Sequence, residues 1–276
     1  MPRLKDIMTR AVITAREGDS LLDAQRLMVR NNIKRLIIVD DQNSPIGITT
    51  QKDMVRELVK GNTKPLDKIP IKSVMTRDPI CLEDKEDLKK VTQLMIVNNI
   101  SSIIAVDKLG KISGIITKSD ICRYLSTLAD TGIAVKRYMS KNPVTMSQYH
   151  SIFVAAHILS DRKFTRLIVT EKNKPVGMIT LSDLVSVGAV LSTPRGTSLS
   201  LIVKGELLPS RMLPILLVKN IMTPDPITIN EGADIADAAK LMINHGISGL
   251  PVVDEKAILI GIITKTDLVK ASVKIK

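Results

Sequence analysis

The chain has 276 residues, 44% hydrophobic and 25% charged, with a formal net charge of +12. This balance excludes a disordered or collagen-like chain, and two cysteines, Cys81 and Cys122, make neither a disulfide framework nor a zinc site. Aromatics are 2% with no Trp, so the core falls to Ile, Leu, Val and Met, and no stacking platform for single-stranded nucleic acid is visible.

The N-terminal stretch Met1–Asp6 lacks the apolar run of a signal peptide. The apolar run Met212–Val218 is far too short to span a bilayer. A cytoplasmic protein with no membrane association is the expectation. The charge admits two readings. One is polyanion binding, to nucleotide phosphate, RNA or DNA. The other is a Lys-rich solvated surface, with Lys85, Lys89, Lys90, Lys270 and Lys274 at exposed helix positions.

In chain order, the phrase Ile7-Met8-Thr9 opens a unit that returns at Val74-Met75-Thr76, Tyr138-Met139-Ser140 and Ile221-Met222-Thr223. A short strand is expected after each phrase, then a helix. Thirteen residues past each Met stand Leu21, Leu88, Ile152 and Ile235. Ala24, Val91, Ala155 and Ala238 follow, then Leu27-Met28, Leu94-Met95, Ile158-Leu159 and Leu241-Met242. This spacing makes one apolar helix face, and its small middle column lets a neighbour approach closely.

Short β-branched runs come next, at Leu36–Val39, Ile103–Val106, Leu167–Val169 and Leu250–Val253, and three of them end at Asp40, Asp107 and Asp254. They predict buried strands followed by turns. A second strand runs through Gly47, Gly114, Gly177 and Gly261 into Thr50-x-x-Asp53, Thr117-x-x-Asp120, Thr180-x-x-Asp183 and Thr264-x-x-Asp267, where a second helix begins. Met-to-Asp offsets are 45, 45, 44 and 45 residues. Four copies too small for separate cores must pack on one another, and a ligand is expected between copies. The predicted class is mixed α/β (α+β).

The boundaries read as repeats at 1–62, 68–128, 133–191 and 215–276, with an insert at 192–214. The insert holds a loop at 192–198 and apolar segments at Leu199–Val203 and Met212–Val218. It reads as cover for exposed core or as a docking surface for a partner.

The Met-Thr opening, the following Asp78-Pro79, Asn142-Pro143 and Asp225-Pro226, the buried strand, and the Gly-Ile-Ile-Thr-x-x-Asp phrase together resemble the CBS domain, the cystathionine-β-synthase-type repeat. The resemblance spans nearly the whole chain. It implies that the first repeat pairs with the second and the third with the fourth, giving two Bateman modules stacked as a disk. The four-repeat layout also resembles the gamma-subunit family of AMP-activated protein kinase. Adenine nucleotides (AMP, ADP or ATP) are the implied ligands, and no catalytic activity or metal is expected.

Thr-x-x-Asp by itself is a capping box. Family members turn this Asp to the ribose diol, with the Thr and the residues between near ribose and phosphate: Thr50, Lys52 and Asp53; Thr117 and Asp120; Thr180, Ser182 and Asp183; Thr264 and Asp267. The pair before the buried strand points at the phosphate in the family. It reads Lys34-Arg35, Ser101-Ser102, Thr165-Arg166 and Ser248-Gly249, basic only in the first and third copies. By the same resemblance the adenine wall is Thr76, Cys81, Ile100 and Ser101 for the Asp53 cleft, and Thr223, Thr228, Ile247 and Ser248 for the Asp183 cleft. The Asp120 and Asp267 clefts lack a basic residue at that pair. They are left as empty, as nucleoside sites, or as sites that borrow charge from another repeat.

His150 and His157 sit seven apart on one expected helix, and with His245 they read as structural or surface residues. The reading is a non-catalytic adenine-nucleotide sensor that passes its state to an effector protein or a second copy of the chain as a homodimer. The alternatives are a nucleic-acid-binding regulator using the basic surface and a sensor of S-adenosyl compounds.

Overall fold

The computed structural model describes residues 2–59, 65–162, 164–184, 201–203, 206–208 and 216–275. Each repeat builds the same small layered unit. Its first helix runs over Leu21–Arg30, Leu88–Val97, Ile152–Asp161 or Ile235–Asn244. Ser20, Asp87, Ser151 and Asp234 cap these helices by accepting from the N–H of Asp23, Lys90, Val154 and Ala236. Ala24, Val91, Ala155 and Ala238, the small middle column, are all 0% exposed.

The two long strands of each repeat are antiparallel neighbours, as in Arg35–Val39 with Pro45–Thr50. A short strand after the opening phrase, such as Thr14–Arg16, pairs parallel to the first of them. The Asp that ends three of the buried strands makes the turn. One oxygen of Asp40 accepts from the N–H of Gln42 and Ser44, of Asp107 from Leu109 and Lys111, and of Asp254 from Lys256 and Ile258.

The opening phrase is itself a strand, and it completes the sheet of the sequence neighbour. Thr76–Arg77 of the second repeat pairs with Gly47 and Ile48 of the first, and Thr9 bridges to Ile115 of the second. Thr223–Pro224 pairs with Gly177 and Met178, and Ser140–Lys141 pairs with Gly261 and Ile262. One turn earlier, Leu4, Ile71, Val135 and Val218 are each 0% exposed, and their carbonyls accept from the N–H of Met8, Met75, Met139 and Met222. This fourfold anchor column was not picked out from the sequence.

The chain divides into two compact units. One contains residues 13–78 and 144–225, the bodies of the first and third repeats. The other contains 1–12, 79–143 and 226–276, the bodies of the second and fourth. The chain changes unit at Val12/Ile13, Asp78/Pro79, Pro143/Val144 and Asp225/Pro226. Asp78, Asn142 and Asp225 have φ of 51, 49 and 47°, a left-handed turn that Asp and Asn tolerate and that the next Pro keeps from becoming helical. In each unit the apolar faces of its two repeats pack together. Leu21, Met28 and Leu36 share a cluster with Ile152, Leu159 and Leu167. In the other unit, Cys122 and Leu125 pack with Ile235, Ala238 and Ala239.

Of the insert, Leu201–Val203 and Glu206–Leu208 pair as antiparallel strands, and just beyond it Leu216 and Val218 join the core of the first and third repeats. The expected loop at 192–198 and residues 209–215 lie outside the described residues. Two expectations are corrected. His150 precedes the helix Ile152–Asp161, whose cap is Ser151, so it does not share that helix with His157. Lys85 and Lys274 are exposed but sit in turns after a strand and after a helix. No helix among the described residues is long and apolar enough to cross a membrane.

Candidate functional site

The four Thr-x-x-Asp motifs share one geometry. In each, one carboxylate oxygen accepts from both the backbone N–H and the hydroxyl of the Thr. The distances are 2.8 and 2.7 Å at Asp53, 2.8 and 2.7 Å at Asp120, 2.7 and 2.8 Å at Asp183, and 2.9 and 2.7 Å at Asp267. That oxygen, Oδ2, does the capping. The capping and ligand-facing readings of this Asp therefore do not compete, because the second oxygen, Oδ1, is left over.

The second oxygens differ. Asp120 Oδ1 accepts from Thr9 Oγ1 at 3.1 Å and from Arg123 at 2.9 Å. Asp53 Oδ1 meets Arg56 at 3.3 Å. Asp267 Oδ1 has Lys270 only at 4.0 Å, beyond hydrogen-bond reach. For Asp183 Oδ1, no other described residue donates a hydrogen bond, and Ser186 stands where the other repeats have Arg or Lys three residues on. Burial pushes the Asp183 and Asp267 carboxyls above their ordinary range, although the Thr hydrogen bonds pull the other way.

In every repeat the pair before the buried strand is tied to the motif. The carbonyls of Lys34, Ser101, Thr165 and Ser248 accept from the N–H of Gln51, Lys118, Leu181 and Lys265. Strand register then sets Arg35 opposite Thr50, Ser102 opposite Thr117, Arg166 opposite Thr180 and Gly249 opposite Thr264. So Lys34 and Arg35 stand beside the Asp53 motif, and Thr165 and Arg166 beside the Asp183 motif.

Cations of the first and third repeats also act on each other. Lys34 favours the charged form of Asp183. The Lys52 ammonium is held below its ordinary value, first by burial and then by Arg56, Arg166 and Arg35, with Asp53 opposing. Ser182 Oγ donates to Gln51 Oε1 at 2.9 Å, joining the two motifs directly. A bound anion here would relieve the crowding of cations.

The second and fourth repeats hold charge that the sequence reading missed. Lys118 Nζ donates to Thr266 Oγ1 at 3.0 Å, and Lys265 Nζ donates to Ser119 Oγ at 3.1 Å. Each lysine follows the Thr of one motif and reaches the residue before the Asp of the other. The signal was a Lys at the same place in both motifs, but only the pair before the strand had been compared.

The expected adenine-wall residues divide between the units. Thr76 pairs with Ile48 on the strand leading to Thr50, and Thr223 with Met178 on the strand leading to Thr180. Cys81, Ile100, Ser101, Thr228, Ile247 and Ser248 belong to the unit of the second and fourth repeats.

Among the described residues no group of three or more His, Cys, Asp or Glu could hold a metal ion. Cys122 is 0% exposed with its thiol toward the Ala239 carbonyl, and burial pushes its pKa up to about 11. In the folded protein a thiol reagent should modify half-buried Cys81 and leave Cys122 unmodified. Mass spectrometry of the labelled peptides checks this, and equal labelling of both would contradict the packing.

The CBS domain profile matches residues 4–60, 71–127, 135–189 and 218–274. An uncharacterized Methanocaldococcus jannaschii protein, MJ1404, is 30% identical over 97% of this chain, which spans 61% of that protein's length. A second protein of that organism, MJ1225, has a crystal structure that superposes with a TM-score of 0.82 at 22% identity, covering 98% of this chain and 100% of the other. An uncharacterized conserved Pyrococcus horikoshii protein superposes with a TM-score of 0.66 at 22% identity, over 98% and 99% of the two chains. The four copies of one layered unit, each closed by the opening segment of a neighbour and each carrying a Thr-capped Asp, make this chain a member of the CBS-domain family, with four CBS repeats forming two Bateman modules.

Proposed function

We propose that the chain is a non-catalytic sensor of adenine nucleotides, AMP, ADP or ATP, binding first at the Asp183 motif and also at the Asp53 motif. One observation carries this reading. Asp183 is held by Thr180 through one oxygen, no other described residue donates a hydrogen bond to its second oxygen, and Arg166 lies across the strand from Thr180. A ribose diol supplies two donors of the kind that oxygen accepts. Arg166, with Lys34 and Lys52 close enough to act electrostatically, suits the phosphate. Thr180 and Ser182 flank the same carboxylate, and Thr223 lies on the adjoining strand. In the first repeat, Arg56 must leave Asp53 Oδ1 for the same contact to form. Occupancy stabilises the conformations that bind ligand best, and an effector protein or a second copy of the chain reads the result.

Calorimetry with AMP, ADP, ATP and S-adenosyl compounds tests the proposal, together with mass spectrometry of any ligand that co-purifies. No heat with any adenine nucleotide would sink it.

The raised Asp183 carboxyl adds a pH signature. Burial holds its folded pKa above the ordinary carboxylate range, so the folded protein takes up this proton before the unfolded chain does. For the ligand-free protein, this group therefore opposes stability above its folded pKa, and the penalty fades as pH falls through that value. The ligand-binding form is the carboxylate. Adenosine, which lacks a titrating phosphate, should bind more weakly as pH falls through the raised pKa. An adenosine affinity that stays flat down to the ordinary carboxylate range would contradict the assignment.

A further inference from the structure

We infer that the outward face of the third repeat's first helix, Phe153, Val154 and His157 with Tyr149 just ahead of it, is an interface between two copies of this chain, packed antiparallel across a twofold axis. The inference goes beyond the nucleotide reading and uses no residue of the Thr-x-x-Asp motifs.

This face differs from its three counterparts. The helix Ile152–Asp161 buries Ile152, Ala155 and Leu159 in the core of its unit. On the solvent side, each of the other three repeats carries an ion pair. Asp23 meets Arg26 at 3.6 Å, Glu86 meets Lys90 at 2.6 Å and Asp237 meets Lys240 at 3.2 Å. In the third repeat Val154 takes the place of Asp23, Lys90 and Asp237, and His157 that of Arg26 and Lys240. Tyr149 is 62% exposed, Phe153 49% and Val154 42%, in a chain with two Phe and no Trp. A helix apolar on both sides is one that a neighbour covers, and aromatic residues are enriched where proteins meet.

Charge selects a second copy as that neighbour. A net charge of +12 makes two copies repel over most of their surface. This helix carries no Lys or Arg, and its one acidic residue is Asp161 in the last turn, where the helix dipole disfavours an acid. Ahead of the other end, the Lys219 ammonium lies 5.1 Å from the centre of the Tyr149 ring, and the Lys219 N–H donates to the Gln148 carbonyl. An antiparallel arrangement that sets Phe153 of one copy against His157 of the other carries Tyr149 and Lys219 of each toward Asp161 of the other. The face is therefore self-complementary, apolar in the middle, cationic at one end and anionic at the other, as a twofold contact requires. A uniformly acidic partner would be repelled at Asp161, and a uniformly basic one at Lys219.

Sedimentation equilibrium of the full chain over a range of concentrations tests this. One helix face is smaller than the roughly 800 Å² per partner of a standard interface, so the expected dimer has a micromolar dissociation constant. Phe153→Glu should raise that constant about tenfold or more and leave the circular dichroism unchanged, because the side chain is exposed. Asp161→Lys and Lys219→Asp should each weaken the dimer, and the two together should restore it. The inference is overturned if the chain is a monomer throughout, which leaves the face to an effector protein. It is equally overturned by a dimer that Phe153→Glu leaves intact, or by one that the charge exchange fails to rescue.

Discussion

Asp183→Asn should lose nucleotide affinity while keeping most of its stability. In the parent, Oδ2 caps the motif through the Thr180 N–H and hydroxyl, and Oδ1 has no hydrogen bond among the described residues. Asn keeps one acceptor oxygen for the Thr180 N–H and hydroxyl. Its amide then presents N–H donors where a ribose diol needs an acceptor. Hydrogen bonds to a charged group contribute about 1.5–3 kcal/mol each, so one lost bond weakens binding roughly tenfold to a hundredfold. Asp183→Ala should lose as much affinity and also give up a helix cap, about 1 kcal/mol of stability. Arg166→Ala should weaken AMP but not adenosine. Calorimetry and thermal unfolding on the same preparations separate the two effects. An Asn variant that binds AMP as tightly as the parent removes Asp183 from the site.

The largest loss of stability at a single methyl group is expected at Gly114. A Cβ there would stand 2.7 Å from Met8 Sδ and 2.9 Å from the Thr9 carbonyl oxygen. The sulfur can move, but the carbonyl belongs to the exchanged strand that bridges Thr9 to Ile115. Gly114→Ala must push that strand away, at about 1–3 kcal/mol. The shift also draws Thr9 Oγ1 from Asp120, 3.1 Å away in the parent. Met8→Ala in the same background should restore only part of the loss, because the Thr9 carbonyl stays in place. Gly18→Ala, with nothing within 4 Å of the added carbon, is the control and should be near neutral. Denaturant unfolding that finds the two Gly→Ala variants equally stable would refute the close approach.

The same contact explains a pairing of columns that the sequence displayed without its reason. Gly47, Gly177 and Gly261 face Met75, Met222 and Met139 as Gly114 faces Met8. The Met and the Gly stand within one repeat in the alignment, but each Gly meets the Met of the neighbouring repeat. Spacing could show that both columns persist, not which copy each one touches.

Helix faces, buried strands and turns were legible because each leaves a local pattern. Apolar residues recur at the helical period, β-branched runs end at a turn-forming Asp, and Thr-x-x-Asp caps a helix. Arg35 and Arg166 were singled out by the resemblance alone, and strand register places each directly across from the Thr of its own motif. Lys118 and Lys265 were not, since their roles depend on hydroxyls 148 and 146 residues away. The differing state of the four second oxygens was also hidden. It depends on what reaches each one: Thr9 and Arg123 at Asp120, and at Asp267 a Lys270 ammonium held 4.0 Å away.

The sequence by itself determined four copies of one α/β unit, the apolar face of every element and the carboxylate in each motif, because each is written within a short stretch of chain. The tertiary structure decided which copies share a core, whose strand closes whose sheet and which carboxylates remain open. Four nearly equivalent apolar faces can be covered by any of the others, and only their packing in space selects the partner.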